Sequence, residues 1–336
     1  MSSRELIRRV LERDRPPRIG LTFSSYDGQP RQNDVAGAGP SPDPSFDEQR
    51  GLDNAGGECW RDEWGCRWRR IPGKTKGGEV IEAPIKDWSD LDTYRLPSFD
   101  DPARYEAVAR SFEQHADMYR LGGISACSFD SARYLRRMEQ YLLDCAAEPE
   151  RVKRLNRLVS DLVLAQVSLY ADAGADGVFF CEDWGTQDRL LVSPAMWREV
   201  FRPDFERLIS HAHAKGLTVW MHSCGYVADI VPDLVELGMD VLQFDQPDLH
   251  GLDPLADFHD RVTFWCPVDI QTTLQTGSRD TIQAKAREMV RKLGTGGGLI
   301  AKDYPDEFSI GADPSWQHWA YEAFLEAGTF NDGGQA

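Results

Sequence analysis

Helix-like and strand-like segments alternate along the chain from residue 102 to residue 326. The strand candidates are short, apolar and rich in β-branched and aromatic residues, as expected of parallel strands buried on both faces. They cover 18–23, 119–125, 177–182, 217–222, 241–245, 262–266 and 298–302. The helix candidates cover 102–117, 132–145, 149–173, 194–215, 226–237, 253–259, 279–293 and 314–326. Repeated βα units predict a parallel sheet, which is either closed into a barrel or open and doubly wound.

The closed form is the better prediction. No G-x-G-x-x-G or P-loop string follows a strand candidate, which disfavours the usual nucleotide-binding versions of the open sheet. Seven strands are evident, and we expect an eighth within 60–100 or 124–131. The sequence therefore predicts an α/β fold with a (β/α)8 TIM-type barrel. Residues 1–336 are expected to form one barrel domain, with the main βα repeats at 102–326.

The region before the repeats is less regular. Residues 24–58 are rich in Gly, Pro, Asp, Asn and Ser and show almost no periodicity, which is typical of a functional or disordered segment. Residues 60–85 contain two β-prone runs around a Gly/Lys turn, which predicts a hairpin. We interpret 24–100 as an irregular insertion and hairpin that lie over the barrel.

Charge and cysteine content limit the class of partner. Lysine and arginine number 38 against 55 aspartates and glutamates, so the net charge is −17. This acidity disfavours nucleic acid and anionic membranes as main partners. No apolar run approaches the about 18 residues of a membrane span, and the N-terminus lacks the apolar core of a signal peptide. Seven cysteines without a C-x-x-C pair are typical of a reduced protein, so we expect a cytoplasmic location.

Polar residues that end the strand candidates are the expected site, because barrel enzymes place their active sites at the C-terminal ends of the strands. The alternative is that the acids among them cap the helices that follow. The candidates, at or just after the ends of the strand candidates, are Glu182, Asp183, Trp184 and Gln187 for the third, His222 and Cys224 for the fourth, Asp245 and Gln246 for the fifth, Cys266 for the sixth, and Asp303 and Tyr304 for the last.

His222 and Cys224 form the sharpest pair. Their i, i+2 spacing on a strand places both side chains on one face, and imidazole with thiolate makes half of a zinc site. The alternative is a core histidine beside a buried cysteine. Cys266 is either a third soft ligand from another strand end or a small buried hydrophobe.

Two aromatic segments also have two interpretations. Asp183 and Trp184 form either a strand-end acid with an aromatic platform or a helix cap with a core tryptophan. The second segment either covers the barrel mouth and holds an anionic substrate or is an ordinary amphipathic hairpin. It contains Trp60, Trp64, Trp68, Arg69 and Arg70.

The strings DWGTQ, SPAMWREVFRP and HSCG, at these spacings, resemble the uroporphyrinogen decarboxylase superfamily over about residues 100–326. The resemblance implies a (β/α)8 barrel with one of two chemistries. One is cofactor-free decarboxylation of uroporphyrinogen. The other is methyl transfer between a corrinoid protein and a thiol, which a zinc ion activates.

The methyltransferase branch fits better. The arginine-rich motif of the true decarboxylases (of the form MRQAGR) is absent, and the corresponding strand reads RIGLTFSSYDGQPRQ. HSCG stands where the methyltransferase branch has its His-x-Cys zinc ligands. That branch also has a cysteine at the end of the last strand, where this chain has LIAKDYPDE. Cys266 could take its place, with Glu182 or Asp303 as a fourth ligand.

The resemblance thus implies a zinc-dependent methyltransferase, with zinc on His222, Cys224 and Cys266 and with a methyl-corrinoid on a separate partner protein. It also makes a homodimer plausible. The other assignments are catalytic roles for Glu182, Asp183 and Asp245, and contacts with a small-molecule substrate from Trp184, Gln187, Gln246, Asp303, Tyr304 and Arg69.

Two alternatives stay open. The first is a decarboxylase of a pyrrolic or aromatic acid, in which Asp183 stabilises a developing cation and Arg69, Arg70 or Arg133 holds the carboxylate. The second is a ligand-binding barrel without turnover.

Overall fold

The computed structural model describes residues 1–73 and 77–330. The strands, labelled β1 to β12, are Gly20–Thr22, Val35–Ala38, Gly51–Leu52, Glu58–Arg61, Arg67–Arg70, Glu79–Glu82, Tyr119–Gly123, Gly177–Cys181, Thr218–His222, Val241–Gln243, Thr263–Cys266 and Leu299–Lys302. The α-helices, α1 to α12, are Ser3–Glu12, Glu106–Gln114, Phe129–Arg136, Met138–Ala147, Pro149–Asp172, Pro194–Val200, Arg202–Ala214, Val231–Glu236, Leu252–Ala256, Arg279–Met289, Glu307–Ile310 and Pro314–Ala327. Across both described ranges, no helix combines the length and the apolar character needed to cross a membrane.

Eight parallel strands form a nearly closed barrel in the order β1-β12-β11-β10-β9-β8-β7-β2. The last gap, between β1 and β2, is bridged by a hydrogen bond from the Asp34 N–H to the Leu21 carbonyl at 2.8 Å. The predicted (β/α)8 barrel is confirmed, and each of the seven strand candidates contains a barrel strand.

The eighth strand is β2, and its predicted location within 60–100 or 124–131 was wrong. It lies inside the segment 24–58, which the composition indicated to be irregular. Its sequence, VAGA, is short, contains a glycine and lacks a β-branched run. This segment is extended because it pairs with β7, from Val35 beside Tyr119 to Ala38 beside Gly122. Tertiary pairing, and not local propensity, therefore makes this strand.

Two helix candidates are each divided in two. The segment 132–145 becomes α3 and α4, which meet at Arg137 in a left-handed backbone conformation with φ +63°. The segment 194–215 becomes α6 and α7, which meet at Phe201. Pro203 in the first turn of α7 explains that second break, because proline has no N–H to continue the preceding helix.

A second, antiparallel sheet forms in the order β3-β4-β5-β6. The predicted hairpin corresponds to β5 and β6, and part of its Gly/Lys turn lies at 74–76, outside the described residues. Trp68 packs edge-on against Tyr134, with ring centroids 4.7 Å apart, so this sheet rests on α3.

Helix α1 closes the N-terminal end of the barrel. Leu6, Ile7 and Val10 cluster with barrel residues that include Trp220 and Ile300. The Gly298 N–H, which precedes β12, donates to the Val10 carbonyl at 3.0 Å. Packing therefore fills this end of the barrel and leaves the C-terminal end for a site.

Replacing Ile7 by alanine should lower the free energy of unfolding by about 2–5 kcal/mol, because the lost side chain leaves a cavity in a fully buried cluster. Urea unfolding followed by tryptophan fluorescence measures this change. Glu12→Ala on the exposed face of α1 is the control, with an expected change within about 0.5 kcal/mol. Equal effects of the two substitutions would contradict the closing role of α1.

Candidate functional site

The loops after β8 and β9 are joined by direct backbone contact. The Gly185 N–H donates to the Cys224 carbonyl at 3.2 Å, and the Tyr226 N–H donates to the Thr186 carbonyl at 2.7 Å. A Cβ on Gly225 would overlap the Gly185 carbonyl and lie 2.6 Å from the Thr186 oxygen. Gly225 also has φ +74°, which disfavours other residues. The strings DWGTQ and HSCG thus form one structural unit.

This unit brings Asp183, His222 and Cys224 together, with one ligand atom from each lying within 4.8 Å of the others. His222 Nε2 lies 3.2 Å from Cys224 Sγ and 3.5 Å from Asp183 Oδ1. Asp183 Oδ1 also accepts the Cys224 N–H at 2.9 Å, which fixes the carboxylate against the turn. The three side chains make a compact donor set of nitrogen, sulfur and oxygen.

A hydrogen-bonded chain orients the His222 ring. Lys302 Nζ and Gln243 Nε2 both donate to Asp245 Oδ1, at 3.0 and 2.8 Å. The Gln243 amide nitrogen is therefore turned toward Asp245, and its oxygen accepts from His222 Nδ1. The His222 ring thus has a proton on Nδ1, and its Nε2 faces Asp183 and Cys224. Although burial opposes ionisation, Lys302 and then His222 hold the pKa of Asp245 below its ordinary value.

A cavity of about 730 Å³ opens at the C-terminal end of the barrel. Its residues come from the barrel strands and the segments that follow them. The polar side includes His222, Gln243, Asp245 and Lys302, and the apolar side includes Val35, Leu121, Phe179 and Trp265.

Cys181 also lines this cavity, although it was not among the predicted site residues. It ends β8 directly beside His222 on β9. Strand alternation from Asp183, two residues later, is the signal that could have found it. Burial of the thiol, and next the charge of Asp183, raises the pKa of Cys181 to about 12. Gln243 was not predicted either, because its role depends on contact with His222 across two strands.

Three predicted site residues face away from the cavity, and their assignments are corrected. Glu182 is fully buried and accepts the N–H groups of Ser128 and Phe129, at 2.6 and 3.0 Å, so it caps α3. Burial, followed by Asp130, raises the pKa of Glu182 well above its ordinary value. Trp184 is fully buried against the Phe129 ring, with centroids 4.0 Å apart, and is a core residue.

Cys266 is the third correction. It is fully buried in the hydrophobic core between the strands and the helices. The neighbouring Trp265 takes the inward position on β11 and lines the cavity. Cys266 therefore cannot join His222 and Cys224, and Asp183 is the residue that lies close to both.

The remaining predicted residues are dispersed. Gln187 is exposed and Gln246 is buried, and neither lines the cavity. Asp303 does line it, but its carboxylate is held by Arg31 at 2.7 Å and by the Ser24 N–H at 2.9 Å. Tyr304 is half-buried, and its N–H donates to Gln317.

The candidate carboxylate-binding arginines each have an acidic partner. Arg69 pairs with Asp53 at 2.6 Å and Arg70 with Glu58 at 2.7 Å, both in the small antiparallel sheet. Arg133 pairs with Asp130 at 2.6 Å. The substrate-binding role predicted for Arg69 is not supported by this placement.

Gly225→Ala should disrupt the joined loops. Gly216→Ala is the matched control, because Gly216 has a similar φ of +76° and an added methyl group there would meet open space. We expect the control to cost about 1–2 kcal/mol of unfolding free energy from backbone conformation alone. Gly225→Ala should cost about 1–3 kcal/mol more, because the methyl group overlaps backbone atoms. Thermal and urea unfolding measure both, and equal costs would contradict the close backbone contact.

Comparisons with known proteins agree with this architecture. The family model for uroporphyrinogen decarboxylase (URO-D) matches residues 65–302. A solved methyltransferase from Methanosarcina mazei is 17% identical, with a TM-score of 0.59 over 79% of this chain and 76% of that chain. Its likeness shows a shared fold.

Lower similarity is found to D-psicose 3-epimerase from Clostridium cellulolyticum, with 9% identity, a TM-score of 0.42, and coverage of 71% of this chain and 86% of that chain. An endo-β-1,4-xylanase from Gloeophyllum trabeum gives 10% identity, a TM-score of 0.41, and coverage of 67% and 80%. No curated protein sequence gives a significant match. The chain belongs to the uroporphyrinogen decarboxylase family, because the family model matches more than half of the chain.

Proposed function

We propose that this chain is a zinc-dependent methyltransferase, in which a thiol substrate accepts a methyl group from a methyl-corrinoid carried by a separate protein. The observation that carries the proposal is the group of Asp183, His222 and Cys224 at the mouth of the barrel. The fold shared with the Methanosarcina mazei methyltransferase is compatible with it.

The donor set fits zinc. Catalytic zinc sites use three protein ligands chosen from imidazole, thiolate and carboxylate, and they leave one position open for substrate. Two atoms bound to one zinc ion at about 2.0–2.3 Å lie no more than about 4.6 Å apart. The distances from His222 Nε2 to Cys224 and Asp183, 3.2 and 3.5 Å, are within that limit. Asp183 thus replaces Cys266 as the third ligand.

The bound zinc ion would supply one effect, which is to lower the pKa of the substrate thiol so that a thiolate is present at neutral pH. The chain's own residues do the rest. Gln243 holds the proton of His222 on Nδ1, and Asp183 is fixed by the Cys224 N–H.

The proposed methyl transfer would be an in-line displacement. The substrate thiolate would form a bond to the methyl carbon as the bond from that carbon to the corrinoid cobalt breaks, and the electron pair of the broken bond would stay with the corrinoid. The donor would approach from the open C-terminal end, since α1 fills the other end of the barrel.

The decarboxylase alternative has less support. Arg69, Arg70 and Arg133 are each paired with an acid. Lys302 is the one lysine or arginine among the described residues that line the cavity, and it is paired with Asp245. A polycarboxylate would therefore meet no unpaired lysine or arginine there.

Metal content tests the triad. The untagged chain, loaded with zinc and dialysed, should retain about one zinc ion per molecule. His222→Ala, Cys224→Ala and Asp183→Asn should each lose it, because two ligands bind zinc weakly. Cys266→Ala is the control and should retain zinc, since Cys266 is buried in the core. Elemental analysis gives the outcome, and a wild-type chain that retains no zinc would refute the metal centre.

Turnover tests the reaction. With free methylcobalamin and a panel of thiols, the zinc-loaded chain should accelerate loss of the methyl–cobalt absorbance, and Cys224→Ala should return it to the uncatalysed rate. Zinc binding without turnover for any thiol would leave the metal centre intact and contradict the methyltransferase.

Gln243→Leu should weaken zinc binding by about 10- to 100-fold, because a ligand histidine that loses its partner also loses its fixed tautomer and orientation. Competition with a chromogenic chelator measures the affinity. Gln246→Leu is the control, since the described hydrogen bonds give its side chain no contact with His222. Unchanged affinity in Gln243→Leu would show that the hydrogen-bonded chain does not orient the ligand.

A further inference from the structure

The apolar half of the cavity exists because side chains are missing there. Gly37 on β2, Gly39 just after it and Gly123 on β7 all line the space. A Cβ on Gly39 would have no atom within 4 Å, one on Gly37 would lie 4.0 Å from the Leu121 carbonyl, and one on Gly123 would lie 3.8 Å from the Ala38 carbonyl. None of the three has positive φ. The backbone therefore does not require glycine at these positions. The effect of glycine there is to leave cavity volume that a side chain would fill.

The residues that line the apolar half of the cavity are aliphatic or aromatic. Val35 on β2 and Leu121 on β7 flank the glycines. Phe179 on β8 is paired with Gly123, and its ring contacts the Trp265 ring. The Phe179 and Trp265 rings meet at 71° with centroids 5.3 Å apart, so they present both a face and an edge. Such surfaces favour a ring system over a flexible polar chain.

The charges in the cavity wall are already neutralised. Asp245 pairs with Lys302 at 3.0 Å, and both side chains are about nine-tenths buried. Asp303 pairs with Arg31 at 2.7 Å, again with both side chains buried. A charged ligand group in the cavity would lose its hydration without gaining an unpaired lysine, arginine, aspartate or glutamate among the described lining residues, and this loss is unfavourable.

The volume sets the size of the occupant. A cavity of about 730 Å³ lies in the range that holds drug-sized molecules, about 300–1,000 Å³, and is larger than a simple alkyl thiol requires.

From these observations we infer that the substrate has an uncharged, ring-containing apolar body, which lies against Gly37, Gly39 and Gly123 and against the neighbouring Phe179–Trp265 pair. The inference rests on the proposed function only for the reactive end of the substrate, which would reach the triad. Binding of the body depends on the cavity alone.

Three probes of one shape and different charge test this inference on the full-length, metal-free chain. They are naphthalen-2-ylmethanol, naphthalene-2-carboxylate and naphthalen-2-ylmethylammonium. By isothermal titration calorimetry, the alcohol should bind at least about tenfold more tightly than either ion, because burying an unpaired charge is costly. Failure of the alcohol to bind at millimolar concentration, or equal or tighter binding of either ion, would overturn the inference.

A second experiment fills the cavity by substituting its glycines. Gly37→Val and Gly39→Val should each weaken binding of the alcohol at least about tenfold, because the new methyl groups occupy its place. Gly51→Val in the small sheet is the matched control, since a Cβ there also meets open space. If either valine variant is unstable in thermal melting, Gly39→Ala replaces it with a smaller step. Unchanged affinity in the folded variants would overturn the inference.

The outcomes separate this inference from the proposed function. A chain that binds no zinc but binds the alcohol, with loss in Gly39→Val, would refute the zinc methyltransferase and retain the apolar subsite. A chain that holds zinc on the triad but binds the ions as well as the alcohol would retain the metal centre of the proposed function and refute the apolar subsite.

Discussion

Side chains on each barrel strand alternate between the cavity and the layer of helices, and this alternation determines the chemistry of the site. At the end of β8, Cys181 lines the cavity and Asp183 lies with His222 and Cys224, whereas Glu182 and Trp184 are fully buried on the other side. The outward pair is structural, because Glu182 caps α3 and Trp184 packs against Phe129. The end of β8 thus supplies Asp183 to the candidate site, and Glu182 and Trp184 to the packing beside it.

Strands β8 and β9 are paired as far as Cys181 and His222, and the contact between Gly185 and Gly225 joins the loops that follow them. Because neither residue has a side chain, the two loops approach closely enough for backbone hydrogen bonds. This approach sets the distance from Asp183 to His222 and to Cys224. The geometry of the donor set therefore depends on two residues that carry no functional group.

These constraints explain how far sequence alone could lead. Apolar runs with polar ends predicted the barrel strands, and the i, i+2 spacing placed His222 and Cys224 on one face. Strand β2 could not be found, since VAGA is extended only beside β7. Cys266 was misassigned because both faces of β11 are apolar, so the sequence does not show whether Trp265 or Cys266 points inward. The roles of Asp183 and Gln243 depend on contacts between strands, which spacing along one strand does not reveal.

The cavity combines a polar side with an apolar side, and each charged side chain of its aspartates and its lysine has a partner of opposite charge. Lys302 neutralises Asp245, and Arg31 neutralises Asp303. Under the proposed function, the same balance extends to the metal centre, because the anionic Asp183 and Cys224 would together offset the two charges of a zinc ion while His222 stays neutral. Under the same proposal, a chain with a net charge of −17 would present the substrate with a site of no net charge. Selection of the substrate body would then depend on shape and apolar contact, and selection of its reactive end on affinity for the metal.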